Sequence, residues 1–296
     1  MSKRILITGA AGFVGRNLIP VLVKNGYKVT ALVKNKSEKE KLKNMKVKIV
    51  VGDMSEAGRW QESFRDNPVV VHLAAEISSK DPQTFVKNNV VATQNLIEAA
   101  KKFKIKRIIH FSSAAVDSTR EDPYSKTKKE QEAIITQSGI EYFVLRPSMM
   151  YGPTDDKNVG WLIKTLKRLP ITPLPGGGQF GRQPIFIGDI CQIVLRLIEA
   201  RSGNKIYEIH GYEYITLKQM VVTIKKEFKI SRPTVNIPIG ILKLMILTSQ
   251  YLLPNPKFTA DQIESLVSGE RFKGDDWAKL FDIIPTSFLQ GVKKMA

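Results

Sequence analysis

Six short apolar runs, separated by stretches of helical periodicity, constrain the fold of this chain more than any other feature. They read as strands at 4–8 (RILIT), 28–33 (KVTALV), 47–51 (VKIVV), 69–73 (VVVHL), 107–112 (RIIHFS) and 140–146 (IEYFVLR). Helical patterns fill 13–25, 55–65, 84–103 and 123–138. A strand that is apolar on both faces must be covered on both, so this alternation predicts a parallel sheet between two helical layers. The expected class is α/β with a doubly wound parallel sheet. After about residue 150 the alternation fades into Pro- and Gly-rich connectors such as LPITPLPGGGQFGRQP (169–184).

The first strand runs straight into Gly9, Gly12 and Gly15, spaced three apart ahead of a helical pattern. A tight strand-to-helix turn needs residues without a Cβ. A pyrophosphate needs to reach backbone N–H groups at a helix N-terminus, where the dipole favours negative charge. The spacing differs from Gly-x-Gly-x-x-Gly, so the generic dinucleotide fingerprint is not matched. Sheet and loop together still predict a Rossmann-type dinucleotide-binding domain over 1–150. Residues 151–296 are expected to be mainly a substrate-binding lobe, with some segments returning to the first domain.

The second strand ends at Lys34, 19 positions after Gly15, where an NAD-specific protein is expected to place Asp or Glu against the ribose 2′-hydroxyl. A carboxylate repels a 2′-phosphate and a cation attracts one, so NADP is preferred over NAD as the expected cofactor. Arg16 can assist. The competing reading is that Lys34 is one solvated charge among the many in KNKSEKEKLKNMKVK (34–48).

That second reading matters because the chain carries 46 Lys and Arg against 28 Asp and Glu, a net charge of +18. The lysines lack interleaved aromatics and no nucleic-acid module is present, so no nucleic acid is expected as a partner. The excess suits solubility and attraction of small anionic ligands. Cys191 is the only cysteine in the 296 residues. This excludes a disulfide framework, fits a reducing compartment and, with a first strand starting at residue 4, leads to an expected cytoplasmic location. His72, His110 and His210 are too widely separated to suggest a metal site. The apolar segment 237–254 (IPIGILKLMILTSQYLLP) is interrupted by Lys243 and bounded by prolines, too short to span a bilayer. It reads either as a packed helix of the smaller lobe or as an interfacial helix making peripheral membrane contact.

A set of motifs in order now resembles one family. TGAAGFVG (8–15), GDM (52–54), VVHLAA (70–75), NVVATQNLIEAAKK (89–102), FSSAAV (111–116), YSKTK (124–128), LRPSMMYGP (145–153) and GRQPIFIGDI (181–190) are similar to the extended short-chain dehydrogenase/reductases of the NAD(P)-dependent epimerase/dehydratase type. Tyr124 and Lys128 are four apart and share one helix face. A phenol with a pKa near 10 is a poor base at neutral pH, and a neighbouring ammonium favours its ionised form, making Tyr124 usable as general acid or base. The resemblance implies that Lys128 also holds the cofactor ribose and that Ser113 bonds the reacting oxygen, with Ser112 the alternative one residue away. It further implies that Asp53 meets the adenine, that Ala74 and Ala75 let backbone pass close to the cofactor, and that Asn89 lies nearby. Phe13, Val14, Met54, Leu73 and Pro147 are expected around the same ligand. The structural alternatives are a turn aspartate, ordinary packing and a buried amide.

For the substrate, Arg182 matches the arginine that meets a nucleotide-sugar diphosphate in the family, a task suited to a bidentate guanidinium; the competing reading is a surface salt bridge. Met149 stands where sugar-nucleotide members have asparagine, which departs from the pattern. The tail, 251–269 with 284–295, resembles the atypical branch that includes a respiratory complex I accessory subunit, many members of which have lost the tyrosine and lysine kept here. The expected function is hydride transfer at a hydroxyl or carbonyl carbon of an anionic small molecule, foremost a nucleotide sugar. The alternatives are a reductase of a non-sugar or lipid-like carbonyl and a non-catalytic NADP-binding scaffold. Oligomeric state is not readable from the sequence; the resemblance implies a homodimer as one arrangement, since relatives often pair through the helices carrying Asn89 and Tyr124.

Overall fold

The computed structural model describes residues 3–117, 122–241, 244, 269 and 271–296. The chain divides into two compact units, Met1–Ser148 with Ile187–Ile209 and Gly274–Ile284, and Met149–Phe186 with His210–Lys273 and Pro285–Ala296.

In the first unit β1 (Arg4–Thr8), β2 (Lys28–Val33), β3 (Lys48–Val51), β4 (Val69–His72), β5 (Arg107–Phe111), β6 (Glu141–Pro147) and the strand Lys205–Ile209 form one seven-stranded sheet. Its order is Lys205–Ile209, β6, β5, β4, β1, β2, β3, and every pairing is parallel. The fold is the Rossmann-type α/β sheet expected from the alternation. Chain order reverses between β1 and β4, so the crevice for a ligand lies beyond the C-terminal ends of those two strands. All residues of β4 and β5 are buried, the polar His72, Arg107 and His110 among them, as expected of strands covered on both faces.

Helix α1 (Phe13–Lys24) lays Leu18, Ile19 and Leu22 on the core, and a short α2 (Lys36–Glu40) follows β2, capped by the Asn35 side chain. The helical stretch expected at 84–103 is α3 (Pro82–Phe85), a π-helical turn Val86–Val91 and α4 (Ala92–Lys102). α5 (Pro123–Thr136) starts from an Asp122 cap with Pro123 in its first turn.

Two expectations fail. The helix predicted over 55–65 is only a 3₁₀ turn at Arg59–Phe64, because Gly58 is extended and the Trp60 indole is sunk against Gly52. A Cβ on Gly52 would lie 2.4 Å from Trp60 Cβ. The seventh strand, Lys205–Ile209, went unread because it is an edge strand with an exposed start. Arg107 draws this part of the chain to the sheet: its guanidinium donates to the Leu197, Ile198 and Ala200 carbonyls ending the helix Ile187–Glu199, and pairs with Glu141.

The second unit is built from short pairings: Met150–Tyr151 with Ile185–Phe186, Gly181–Arg182 with Ile215–Thr216, and Thr172–Pro175 with Thr234–Ile237. Helices Val159–Arg168, Leu217–Glu227 and Phe288–Lys293 pack in it. Most of the apolar segment expected at 237–254, and most of the tail at 251–269, lie outside the described residues.

Candidate active site

The glycine loop forms where β1 must turn into α1. Gly9 has φ +62°, and a Cβ there would sit 2.6 Å from Ala74 N and 2.9 Å from Leu73 C, so only glycine lets the β1 and β4 ends approach this closely. A Cβ on Gly15 would lie 2.2 Å from Ala10 O; that glycine packs helix against loop. Gly12 is the N-cap of α1, with no side-chain cap and no acidic residue in the first turn. The helix N-terminus therefore presents its dipole to a ligand without an internal anion competing for it. This geometry fits a dinucleotide pyrophosphate.

Eight of the expected cofactor residues, Gly9, Gly12, Lys34, Asp53, Met54, Leu73, Ala74 and Ala75, line one cleft in the first unit. Phe13, Val14, Gly15 and Arg16 lie in the first turn of α1, and Pro147 is buried at the end of β6; none of these is in the cleft wall. Sequence reading missed Glu38, Glu76 and Asn88 in the same wall. The Asn35 cap could have placed Glu38, since a capped first turn brings its carboxylate back toward β2.

Asn89 has the contacts of a buried amide. It is fully buried, its Oδ1 accepts the Glu76 N–H at 2.6 Å, and its amide donates to Glu76 O at 3.1 Å and Thr127 Oγ1 at 3.0 Å. Its effect on the cleft is indirect, through the Glu76 backbone; the π-helical turn exposes Asn88 to the cleft instead.

At the β2 end, Lys34 Nζ lies 3.3 Å from Asp53 Oδ2 and donates to Asn88 Oδ1 at 2.9 Å, while the Lys34 N–H donates to Glu38 Oε2 at 2.8 Å. Partial burial raises the Asp53 pKa, but hydrogen bonds from Ser55 and the Lys34 charge outweigh it and hold the carboxyl below its ordinary value.

The two serines differ in their surroundings. Ser113 Oγ accepts the Ala115 N–H at 3.2 Å and lies close enough to the Tyr124 phenol to lower its pKa, whereas Ser112 Oγ is buried with no hydrogen-bond partner among the described residues. Lys128, one turn after Tyr124 on α5, is buried with its Nζ donating to Phe111 O at 2.6 Å and Gln131 Oε1 at 2.7 Å. Burial pushes the Tyr124 pKa up, with Ser113 opposing it and the Asp122 charge adding to it. Burial likewise pulls Lys128 down to about 7, against a smaller upward pull from Glu132. The phenol is therefore protonated at neutral pH, the state of a proton donor. Arg146, by contrast, is spent on the fold, held by Glu132, Asp117 and Glu208.

Arg182 lies in the second unit, half-buried in the two-residue strand Gly181–Arg182 opposite Ile215; Met149 belongs to that unit as well. Among the described residues no group of three His, Cys, Asp or Glu side chains could hold a metal ion, and no helix is long and apolar enough to cross a membrane.

A model of the NAD dependent epimerase/dehydratase family matches residues 5–209. The chain belongs to that family. As an epimerase/dehydratase family member it is an NAD(P)-dependent enzyme. UDP-glucose 4-epimerase of Vibrio cholerae is 27% identical over 270 residues, covering 81% of this chain and 80% of that protein. The mitochondrial NADH-ubiquinone oxidoreductase 40 kDa subunit of Neurospora crassa is 24% identical over 263 residues, 87% of this chain and 69% of that one, in line with the resemblance of the tail. The crystal structure of UDP-glucuronic acid 4-epimerase from Bacillus cereus, in complex with NAD, superposes with a TM-score of 0.76 at 24% identity over 99% of this chain and 97% of that chain, a likeness of fold.

Proposed function

We propose that this family member transfers hydride at a hydroxyl or carbonyl carbon of a nucleotide sugar and takes NADP in preference to NAD. The observation that carries the reading is the placement of Ser113 where it acts on the Tyr124 phenol, one helical turn ahead of Lys128, in the unit that also holds the glycine cradle. The nicotinamide, when bound, supplies or accepts the hydride. Tyr124 gives a proton to the reacting oxygen or takes one from it. Ser113 orients that oxygen and, by donating to the phenol oxygen, favours its ionised form in the return direction. Lys128 holds the cofactor ribose. Lys34 meets the 2′-phosphate, and Arg182 is the cation proposed for the diphosphate of the sugar nucleotide. The similarity to UDP-glucose 4-epimerase supports the sugar class.

The test is turnover of UDP-, dTDP- and GDP-sugars by the purified protein with each dinucleotide, with Tyr124→Phe alongside. Loss of the hydroxyl should lower turnover by roughly 10²–10⁴-fold while dinucleotide affinity stays within about threefold. Reduction of a non-sugar carbonyl with no sugar accepted would overturn the substrate class.

A further inference from the structure

Behind the cleft a file of buried polar side chains joins α5 to the glycine loop. Lys128 donates to Gln131 Oε1, and Gln131 Nε2 donates to Thr93 Oγ1 at 2.8 Å. Thr93 has one proton to give, and Oγ1 lies 2.6 Å from the Asn89 carbonyl, so toward His72 Nε2, at 3.1 Å, it can only accept. His72 Nε2 therefore carries the ring proton, and Nδ1 accepts from the Thr8 hydroxyl at 2.7 Å. Thr8 Oγ1 in turn accepts the Ala74 N–H at 3.3 Å. Thr8, Thr93 and Gln131 are wholly buried, and His72 and Lys128 nearly so. Proton counting thus fixes the direction of every bond from the lysine to Ala74 on the cleft wall. It requires a neutral His72, consistent with burial holding that ring down to about 3, with the Lys128 charge adding to the effect.

We propose that Gln131 is a positioning residue for Lys128: it holds the ammonium against the Phe111 carbonyl, leaves one of three N–H groups for the cofactor ribose, and ties that position through Thr93 and His72 to the Ala74 backbone. The inference rests on the reading of Lys128 as a cofactor-binding residue. An amide suits the task because it accepts without cancelling the charge. A carboxylate at this depth would form an ion pair and raise the lysine's proton affinity, and an aliphatic side chain would leave a buried donor unmatched. The titratable groups that face Lys128 are His72 from β4, His110 from β5, and Glu132 from its own helix. Both rings are neutral, so the amide acceptor is the adjustable part of its surroundings.

The experiment measures the NADP dissociation constant by calorimetry between pH 6 and 9 for the wild type, Gln131→Leu, Gln131→Glu and Lys128→Met. Wild-type affinity should weaken as the pH rises and the ammonium is lost. Gln131→Leu should weaken binding about tenfold at pH 7 and move the midpoint down, since the charged lysine loses an acceptor. Gln131→Glu should move the midpoint up by a unit or more, and this variant decides the matter if the leucine protein fails to fold. Midpoints that stay at the wild-type value in the folded Gln131 variants, or shift in one common direction, while Lys128→Met binds weakly, would overturn the role of Gln131 alone. Unchanged affinity in Lys128→Met would overturn the reading of Lys128 together with it.

Discussion

Cofactor choice turns on Lys34, and its replacement by alanine gives a measurable signature. The side chain is 44% exposed and already engages Asp53, itself 34% exposed, so its charge works in a largely solvated setting. A unit-charge pair at about 4 Å is worth ~1 kcal/mol in water and ~4 kcal/mol near a protein surface. For a group this exposed, about 1–2 kcal/mol of attraction for a 2′-phosphate is reasonable. From that must be taken the pairing with Asp53 that Lys34 gives up, about 0–1 kcal/mol for a surface ion pair. The net is about 1 kcal/mol. Lys34→Ala should therefore weaken NADP binding about fivefold and leave NAD within about twofold, because removing the cation also releases Asp53. Calorimetric titration of both dinucleotides at low and high salt reads this directly, and the NADP effect should shrink as screening grows. Glu38, whose carboxylate lies in the same wall, acts in the opposite sense, so Glu38→Gln should strengthen NADP binding severalfold. The reasoning is refuted if Lys34→Ala weakens both dinucleotides equally, or if the wild type binds NAD more tightly than NADP.

Ser113→Ala should cost turnover by roughly 10²-fold or more, whereas Ser112→Ala, which removes a buried hydroxyl with no described partner, should leave kcat nearly unchanged and stability equal or slightly higher. Gly9→Ala puts a methyl 2.6 Å from backbone in a left-handed conformation; a loss of roughly 2–4 kcal/mol in stability, seen as a lowered Tm, should accompany loss of dinucleotide binding. The His72–His110 pair, ring centroids 5.1 Å apart, predicts acid sensitivity. Burial holds both rings neutral, His72 down to about 3, so below a pH of about 6.5 the unfolded chain binds more protons than the folded one. Stability is complete above that pH and falls on acidification by about 1.4 kcal/mol per pH unit for each ring. Denaturant titrations from pH 7 to pH 5 should show this slope, and His110→Phe should roughly halve it; a flat profile in the wild type would sink the argument.

What the sequence determined by itself was whatever depends on neighbours along the chain. The mostly apolar runs at β4 and β5 read as buried strands, and Gly9 and Gly15 marked a tight strand-to-helix turn. The four-residue spacing of Tyr124 and Lys128 put them on one helix face. Each of these is a short-range steric or periodic constraint, and such constraints survive without knowledge of the fold. The partners of a long side chain do not. Lys128 turns inward to Gln131 and the Phe111 carbonyl, partners that its spacing from Tyr124 does not reveal. A π-helical turn decides that Asn88 faces the cleft while Asn89 braces Glu76, a rotation no helical periodicity predicts. The edge strand Lys205–Ile209 joins the sheet beside β6, and the helix leading to it is held by Arg107, a contact roughly 90 residues distant in the chain. Tertiary structure settled these points because a polar group under burial takes whichever acceptor the packed elements bring within reach, and that choice is made between segments far apart in sequence.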